Sequence, residues 1–305
     1  ESRGLGDVYK RQVLRASGHP KQAMYATIAT VAINTILAPI FIFMFDWGIR
    51  GAAIATVSAQ VIALLWQLKQ FNNANELLHF RRGIFRLKRK IVFDSLAIGM
   101  SPFLMNLAAC LIVILINQGL KKYGGDLAIG AFGIVNRLVF IVVMIVMGLN
   151  QGMQPIAGYN FGAKLYDRVN KVLKLTIIYA TCVTTFGFLV GMLAPNLVVG
   201  IFTSDAELTE LSATGLRITV MFFPIIGFQM VTSNFFQSIG MAGKAIFLSL
   251  TRQMLILLPC LLILPHFFGV AGVWYSMPVS DLLASLIALV MLVYQFRKFK
   301  TAAAH

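Results

Sequence analysis

Acidic side chains are scarce in this sequence. Eleven Asp and Glu stand among 305 residues, against 26 Lys and Arg. Charged residues of both signs make up only 12%, where soluble domains carry about 25%. No two carboxylates form a pair for acid–base work, and there is neither a nucleophile elbow nor a phosphate-binding glycine loop. The four histidines are scattered: His19 and His79 in basic stretches, His266 at a turn, His305 at the end. Cys110, Cys182 and Cys260 lie inside apolar runs at no metal-like spacing, and read as small buried residues. These absences leave no enzymatic reading with support, and neither a metal site nor a cofactor is expected.

Apolar residues, by contrast, reach 58%, with a mean hydropathy of +0.81. The net charge of +15 does not point to nucleic acid. Its cations sit in short stretches between apolar runs, as in loops that face an anionic membrane leaflet. The class predicted is an all-α membrane protein, a polytopic helical bundle with about eight transmembrane helices.

The spans expected are 23–45, 51–71, 91–119, a long one from about 131 to 159, 172–193, 215–237, 245–267 and 272–296. Pro39 should kink the first, because it removes a helical hydrogen bond. The small residues Gly51 to Ala55 should let the second pack closely. Lys121 to Asp126 reads as a turn. Ser204 and Glu207 have capping-box spacing at the start of a short amphipathic piece. Residues 1–12 resemble nothing that follows and read as a non-native leader or an assembly scar. Residues 13–71 form a helix pair, 72–90 a basic linker, and 91–305 a six-helix lobe with a basic tail. Nineteen cations fall in loops on one side of these spans and four on the other, which makes the first side cytoplasmic and puts both termini there.

An internal repeat relates the first two spans to the last two. Gly48-Ile49-Arg50-Gly51 falls on Gly269-Val270-Ala271-Gly272, and Gln60 falls on Asp281. Parallel repeats of this kind mark transporters. If each half has six helices, four are missing before residue 13, and the chain as it stands is expected not to transport.

The stretch Gln154-Pro155-Ile156-Ala157-Gly158-Tyr159-Asn160-Phe161-Gly162-Ala163 closes the long span and opens a basic segment. With Arg15-Ala16-Ser17-Gly18-His19-Pro20-Lys21 and Gly48 to Thr56, it resembles the multidrug and toxic compound extrusion (MATE) family over about Val13 to Lys300. The resemblance implies helices five to twelve of a twelve-helix, two-lobe exporter in the cytoplasmic membrane of a prokaryote, a monomer when full length. It implies organic cations or drugs as substrates, exchanged against sodium or protons. One departure is Leu37-Ala38-Pro39, where the family often has an acid before the proline. Related lipid-linked oligosaccharide flippases and a non-transporting membrane scaffold are the alternatives.

Gly158 and Gly162 are expected to permit close backbone approach or positive φ. Candidates for a substrate or ion path are the intramembrane polar residues Asn106, Asn136, Gln151, Gln154, Gln229, Ser233, Asn234 and Asp281. The last is the one carboxylate well inside a span, and a clamp to Arg252 competes with an ion-binding role. Met100, Met105, Met144, Met147 and Met153 suit an adaptable apolar cavity. Asn150, Gln151 and Gln154 should face other helices or a wet cavity, since unpaired amides are costly in lipid.

Overall fold

A computed structural model describes residues 20–71 and 89–303. The expected leader, the turn before Pro20 and nearly all of the basic linker lie outside the described residues. The chain divides into two compact units, Glu1–Val92 and Phe93–His305.

The first unit is a helical hairpin. Helix α1 (Pro20–Pro39) passes directly into a π-helical turn, Ile40–Met44, and α2 (Gly48–Phe71) returns. The α pattern ends at Pro39 and widens, as expected where a proline withdraws a hydrogen-bond donor. On α2 one small residue per turn is buried: Gly51, Ala55, Ala59 and Ala63. The close packing expected of this stretch is present. A side chain at Gly51 would collide with the carbonyl oxygen of Phe41. Asn34 Nδ2 donates to Thr56 Oγ1 at 3.2 Å across the hairpin.

The second unit is a bundle. Helix α3 runs Arg89–Gly162, 74 residues, with one non-helical residue inside it, Gly125 (φ 67°, ψ −161°). At 1.5 Å per residue the run would reach about 110 Å, several times a hydrocarbon core of about 30 Å. The break at Gly125 makes it two limbs, each long enough to cross. The expected turn at Lys121 to Asp126 is thus a single-residue break with helix on both sides. Next come α4 (Tyr166–Leu193), the short α5 (Pro195–Val199), α6 (Ala206–Val220) and α7 (Phe223–Ser238). Asp205, not Ser204, caps α6: its carboxylate accepts from the Leu208 N–H at 3.0 Å. The sixth span is not continuous either; α6 and α7 meet at a 55° bend, with Pro224 in the first turn after it. Helix α8 (Ala242–Leu250), a π-helical stretch Thr251–Leu257 and α9 (Leu258–Phe268) form one run, and α10 (Val270–Ala303) ends the described chain. Six of these helices are apolar and long enough to cross a membrane, seven with the bent pair. Counting the two limbs of α3 separately gives eight segments of crossing length among the described residues.

The bundle has two apolar cores along its length. One gathers Ile116, Leu120, Phe132, Leu216, Phe223, Leu261 and Trp274; the other gathers Val146, Met153, Leu173, Val231, Phe235, Phe236 and Leu292. Uncovered apolar side chains such as Ile178, Phe186 and Val290 form the outside, as lipid requires. Cys110 and Cys182 belong to this outside and Cys260 is half-buried, so the cysteines are not the core residues expected.

The repeat appears in three dimensions. Gly48 and Gly269 both take positive φ, at 51° and 57°. A Cβ at Gly272 would collide with the carbonyl of Leu264, as one at Gly51 would with Phe41. The buried stripe of α2 also recurs at the same spacing on α10, as Gly272, Ser276, Ser280 and Ala284.

The glycine motif closes α3 with a Schellman cap. Leu165 N–H donates to Asn160 O at 2.9 Å and Lys164 N–H to Phe161 O at 3.0 Å. The left-handed residue in that cap is Lys164, with φ 59°. Gly162 is helical and has open space where a Cβ would stand, so the role expected of it falls to Lys164 instead. Gly158 does make a close approach, its Cβ position lying 3.0 Å from the Ser238 carbonyl oxygen on α7. Gly158→Val should therefore cost about 1–3 kcal/mol by overpacking. Gly162→Ala should be neutral or better. Lys164→Gly should stabilise by about 0.5–1 kcal/mol, by removing left-handed strain. Thermal unfolding of the three variants in one detergent checks the order; a Gly162→Ala loss as large as that of Gly158→Val would contradict it.

Candidate functional site

Between the two apolar cores lies a layer of buried polar side chains. Along α10, Trp274 belongs to the first core and Ala288 to the second, and Ser280, Asp281 and Ser285 are buried between them. On α7, Gln229 stands between Ile226 of the first core and Val231 of the second. In the run from α8 to α9, Thr251 and Arg252 stand between Leu248 and Leu257. Helix α4 places Thr184 beyond Ala180. Gly227 brings α7 so close to α4 that a Cβ there would meet Thr184 Oγ1 and the Ala180 carbonyl.

Most hydroxyls in this layer satisfy themselves. Thr184 donates to Ala180 O at 3.0 Å and Ser285 to Asp281 O at 2.6 Å, each one turn back on its own helix. The charged pair cannot do this. Arg252 Nε donates to Asp281 Oδ1 at 2.7 Å, with Asp281 5% exposed and Arg252 33%. Asp281 is therefore held in the clamp that competes with an ion-binding role. Arg252 sits in the π-helical stretch, a geometry that recurs at functional sites. On either side of it, Thr251 Oγ1 and Gln253 Oε1 are buried without a hydrogen-bond partner.

The sequence-predicted candidates separate into two groups. Gln229 and Ser233 are buried, and Ser233 Oγ shares a hydrogen bond of 3.1 Å with Ser249 Oγ. Half-buried Asn234 donates to Met230 O at 2.9 Å, within its own helix. Asn106 lies on the surface of the first limb of α3. On the second limb Asn136, Met147 and Gln151 are uncovered by the bundle and Gln154 is half-covered. Their numbers follow the helical repeat, so they share one side, adjacent to the buried side of Val135, Val146, Asn150, Met153 and Ala157. Asn150 was expected to face other helices or a wet cavity, and the bundle covers it. It is 2% exposed and neither side-chain atom has a hydrogen-bond partner. Within the motif, Asn160 is buried and donates to Ile156 O at 2.8 Å, Pro155 is half-buried and Tyr159 is 78% exposed. Of the methionines, Met153 is core, Met105 is half-buried, and Met100, Met144 and Met147 are exposed. Thr251, Ser280 and the unpaired Gln253 escaped sequence reasoning, because single hydroxyls and amides in a span look like ordinary helix-to-helix contacts.

Residues 97–262, more than half of the chain, match the MatE family. The chain belongs to the MATE family. Among curated proteins it is similar to the multidrug export protein MepA of Staphylococcus aureus (strain MSSA476) and of Staphylococcus haemolyticus. Each is 29% identical over 290 residues, covering 94% of this chain and 62% of the relative. This MATE chain thus spans under two thirds of the length of those relatives. Its fold is similar to that of an outward-facing multidrug resistance MATE family transporter of the MOP superfamily, with a TM-score of 0.88 at 22% identity, covering 97% of this chain and 66% of that one. It is also similar to a mutant of the Vibrio cholerae MATE transporter VcmN, with a TM-score of 0.85 at 23% identity, covering 96% and 66%.

The ion pair gives a direct test of the polar layer. Arg252→Gln strands a buried carboxylate, which costs about 3–5 kcal/mol where it has been measured. Asp281→Asn leaves an arginine that is one third exposed and should cost less. The double variant removes both charges and should recover most of the loss. Unfolding midpoints in detergent for the two singles and the double decide it; purely additive losses would show that the pair is not a coupled unit.

Proposed function

We propose that this chain takes part in multidrug efflux, exporting organic cations or drugs by antiport against sodium or protons across a bacterial cytoplasmic membrane. The observation that carries this reading is the side of α3 bearing Asn136, Met147, Gln151 and Gln154, which the bundle leaves wholly or partly uncovered. Amides on a surface that faced only lipid would be costly wherever a polar atom lacked a partner. A transport path has use for them, because amides can hydrogen-bond varied ligands and methionine repacks around varied shapes. Family membership and similarity to proteins named for multidrug export support the same conclusion. Asp281 is the carboxylate we assign to ion coupling, and Arg252 is the internal cation with which an incoming ion competes.

Both termini and the basic linker around Arg86 belong on the cytoplasmic side in this proposal, by the asymmetry of loop cations. Efflux of a fluorescent cationic dye from an efflux-deficient bacterial host tests the function, with external sodium and pH varied. It is run on the 305 residues and on a version extended upstream by four spans. In the form that transports, Gln151→Leu with Gln154→Leu should lower efflux about tenfold, equivalent to about 1.4 kcal/mol. Asp281→Asn should blunt the dependence on sodium or pH at unchanged expression. Dye efflux at background level in both forms, at normal expression, would refute the proposal. Unaltered ion dependence of Asp281→Asn would remove the coupling role and leave the clamp.

A further inference from the structure

We propose that a groove beside the first turns of α4 holds the head group of an anionic phospholipid that carries a free hydroxyl. The groove has a volume of about 440 Å³, and its described lining is Asp167, Asn170, Lys171, Lys174 and Leu175. Lys171 and Lys174 are exposed and one turn apart, so both ammonium groups can reach one phosphate. Asn170 Oδ1 is buried without a hydrogen-bond partner. Asn170 lines the groove, and a side-chain rotation that turns this covered acceptor towards it would let a head-group hydroxyl donate, which a bare phosphate diester cannot do. Asp167 offers the same hydroxyl-bearing group a second acceptor. Two lysines and one aspartate leave the groove with one positive charge, which a singly charged phosphodiester neutralises.

The same helix indicates that the ligand has a tail. From Leu175 the uncovered side of α4 continues through Ile178, Phe186 and Leu189, all exposed and apolar. Residues 175 to 189 rise about 21 Å, more than the roughly 15 Å of one leaflet's hydrocarbon and so long enough to line it. A polar groove that opens onto an apolar track is shaped for an amphiphile; a free anion or a nucleotide would leave the track unused. Among phospholipids, phosphatidylcholine brings a quaternary ammonium towards two lysines and offers Asn170 no donor. Phosphatidylethanolamine offers a donor but no net charge. Phosphatidylglycerol supplies both the negative charge and the hydroxyls.

Native mass spectrometry of the purified chain in a neutral detergent tests this. The added ligands are phosphatidylglycerol, phosphatidylethanolamine, phosphatidylcholine and phosphatidylmethanol, each alone, and inorganic phosphate in competition with bound phosphatidylglycerol. Phosphatidylglycerol should be retained at least about tenfold more than phosphatidylcholine, a difference of about 1.4 kcal/mol. The double variant Lys171→Gln/Lys174→Gln should lose that preference, and Lys171→Arg/Lys174→Arg should keep it. Asn170→Leu should lower retention of phosphatidylglycerol but not of phosphatidylmethanol, which is anionic and has no hydroxyl. A thermal scan accompanies each variant, and Asn170→Leu, read against phosphatidylmethanol, carries the test where the glutamine pair unfolds. Equal retention of phosphatidylcholine or phosphatidylethanolamine overturns the proposal. So does displacement of phosphatidylglycerol by millimolar inorganic phosphate, which would mark a free-anion site. An equal loss with Lys164→Gln/Arg168→Gln overturns it as well, since that would mark diffuse surface charge.

Discussion

Backbones that touch at small residues hold this bundle together. Helices already in lipid gain little from the hydrophobic effect when they meet, because the solvent they leave is as apolar as the partner they find. What remains is dispersion and hydrogen bonding, and dispersion falls steeply with distance. Hence close contacts fall where a Cβ is missing: the backbone of Ala180 against Gly227 and of Ser238 against Gly158, and the side chains of Val142 against Gly187 and of Trp274 against Gly215. Each joins a different pair of segments. Filling one of these contacts would separate a helix pair along its length, so the apolar cores depend on the glycines rather than the reverse.

The polar layer follows from the same constraint. Once helices lie this close, a hydroxyl can return its proton to the carbonyl one turn behind it and needs nothing from its neighbours, as Thr184, Thr219, Thr232, Ser276 and Ser285 do. Charged groups lack that option and must find partners on other helices. Arg252 with Asp281 joins the π-helical stretch to α10, and Lys244 Nζ donates to the buried Gln295 near the other end of α10. Amides fall in between: Asn234 bonds within its helix, while Asn150 is covered and unpaired. The layer therefore holds both fixed pairs and unmet donors and acceptors, and the unmet groups favour any rearrangement that pairs them.

Much of this was legible in the sequence because lipid restricts the solutions. Length and hydropathy located the candidate spans found among the described residues, and the pattern of Gly48, Gly51, Gly269 and Gly272 revealed the repeat. What escaped depends on local choices of similar energy. Nothing in the sequence separates Ser204 from Asp205 as a cap, since both side chains can accept from the same turn. Glycines near a helix end suggest the left-handed position, yet Lys164 occupies it and Gly162 stays helical. The 55° bend at residues 221–222 and the break confined to Gly125 are tertiary outcomes that periodicity does not encode. For the candidate site, Asp281 and its partner Arg252 were readable because charges in a span have few options. The polar layer was not, because it emerges only when two cores are seen to lie on either side of it.

The repeat shows which features the fold fixes and which it leaves free. Both hairpins have positive φ at the first turn glycine, a backbone collision site three residues later, and then buried small residues at each turn. Those features are set by the geometry of two helices in contact, and both copies meet that geometry in the same way. The chemistry on that stripe is not shared. Ala55 and Ala59 correspond to Ser276 and Ser280, and half-buried Gln60 corresponds to buried Asp281. Serine replaces alanine in the stripe at little cost in volume and carries its own hydrogen bond, as Ser276 does to Gly272 O at 2.8 Å. A carboxylate at the neighbouring position has no such local solution and requires Arg252 opposite it. Asp281 and Arg252 therefore distinguish the second hairpin from the first in a way that close packing alone does not demand, which makes the pair the feature of that hairpin whose presence most needs a functional explanation.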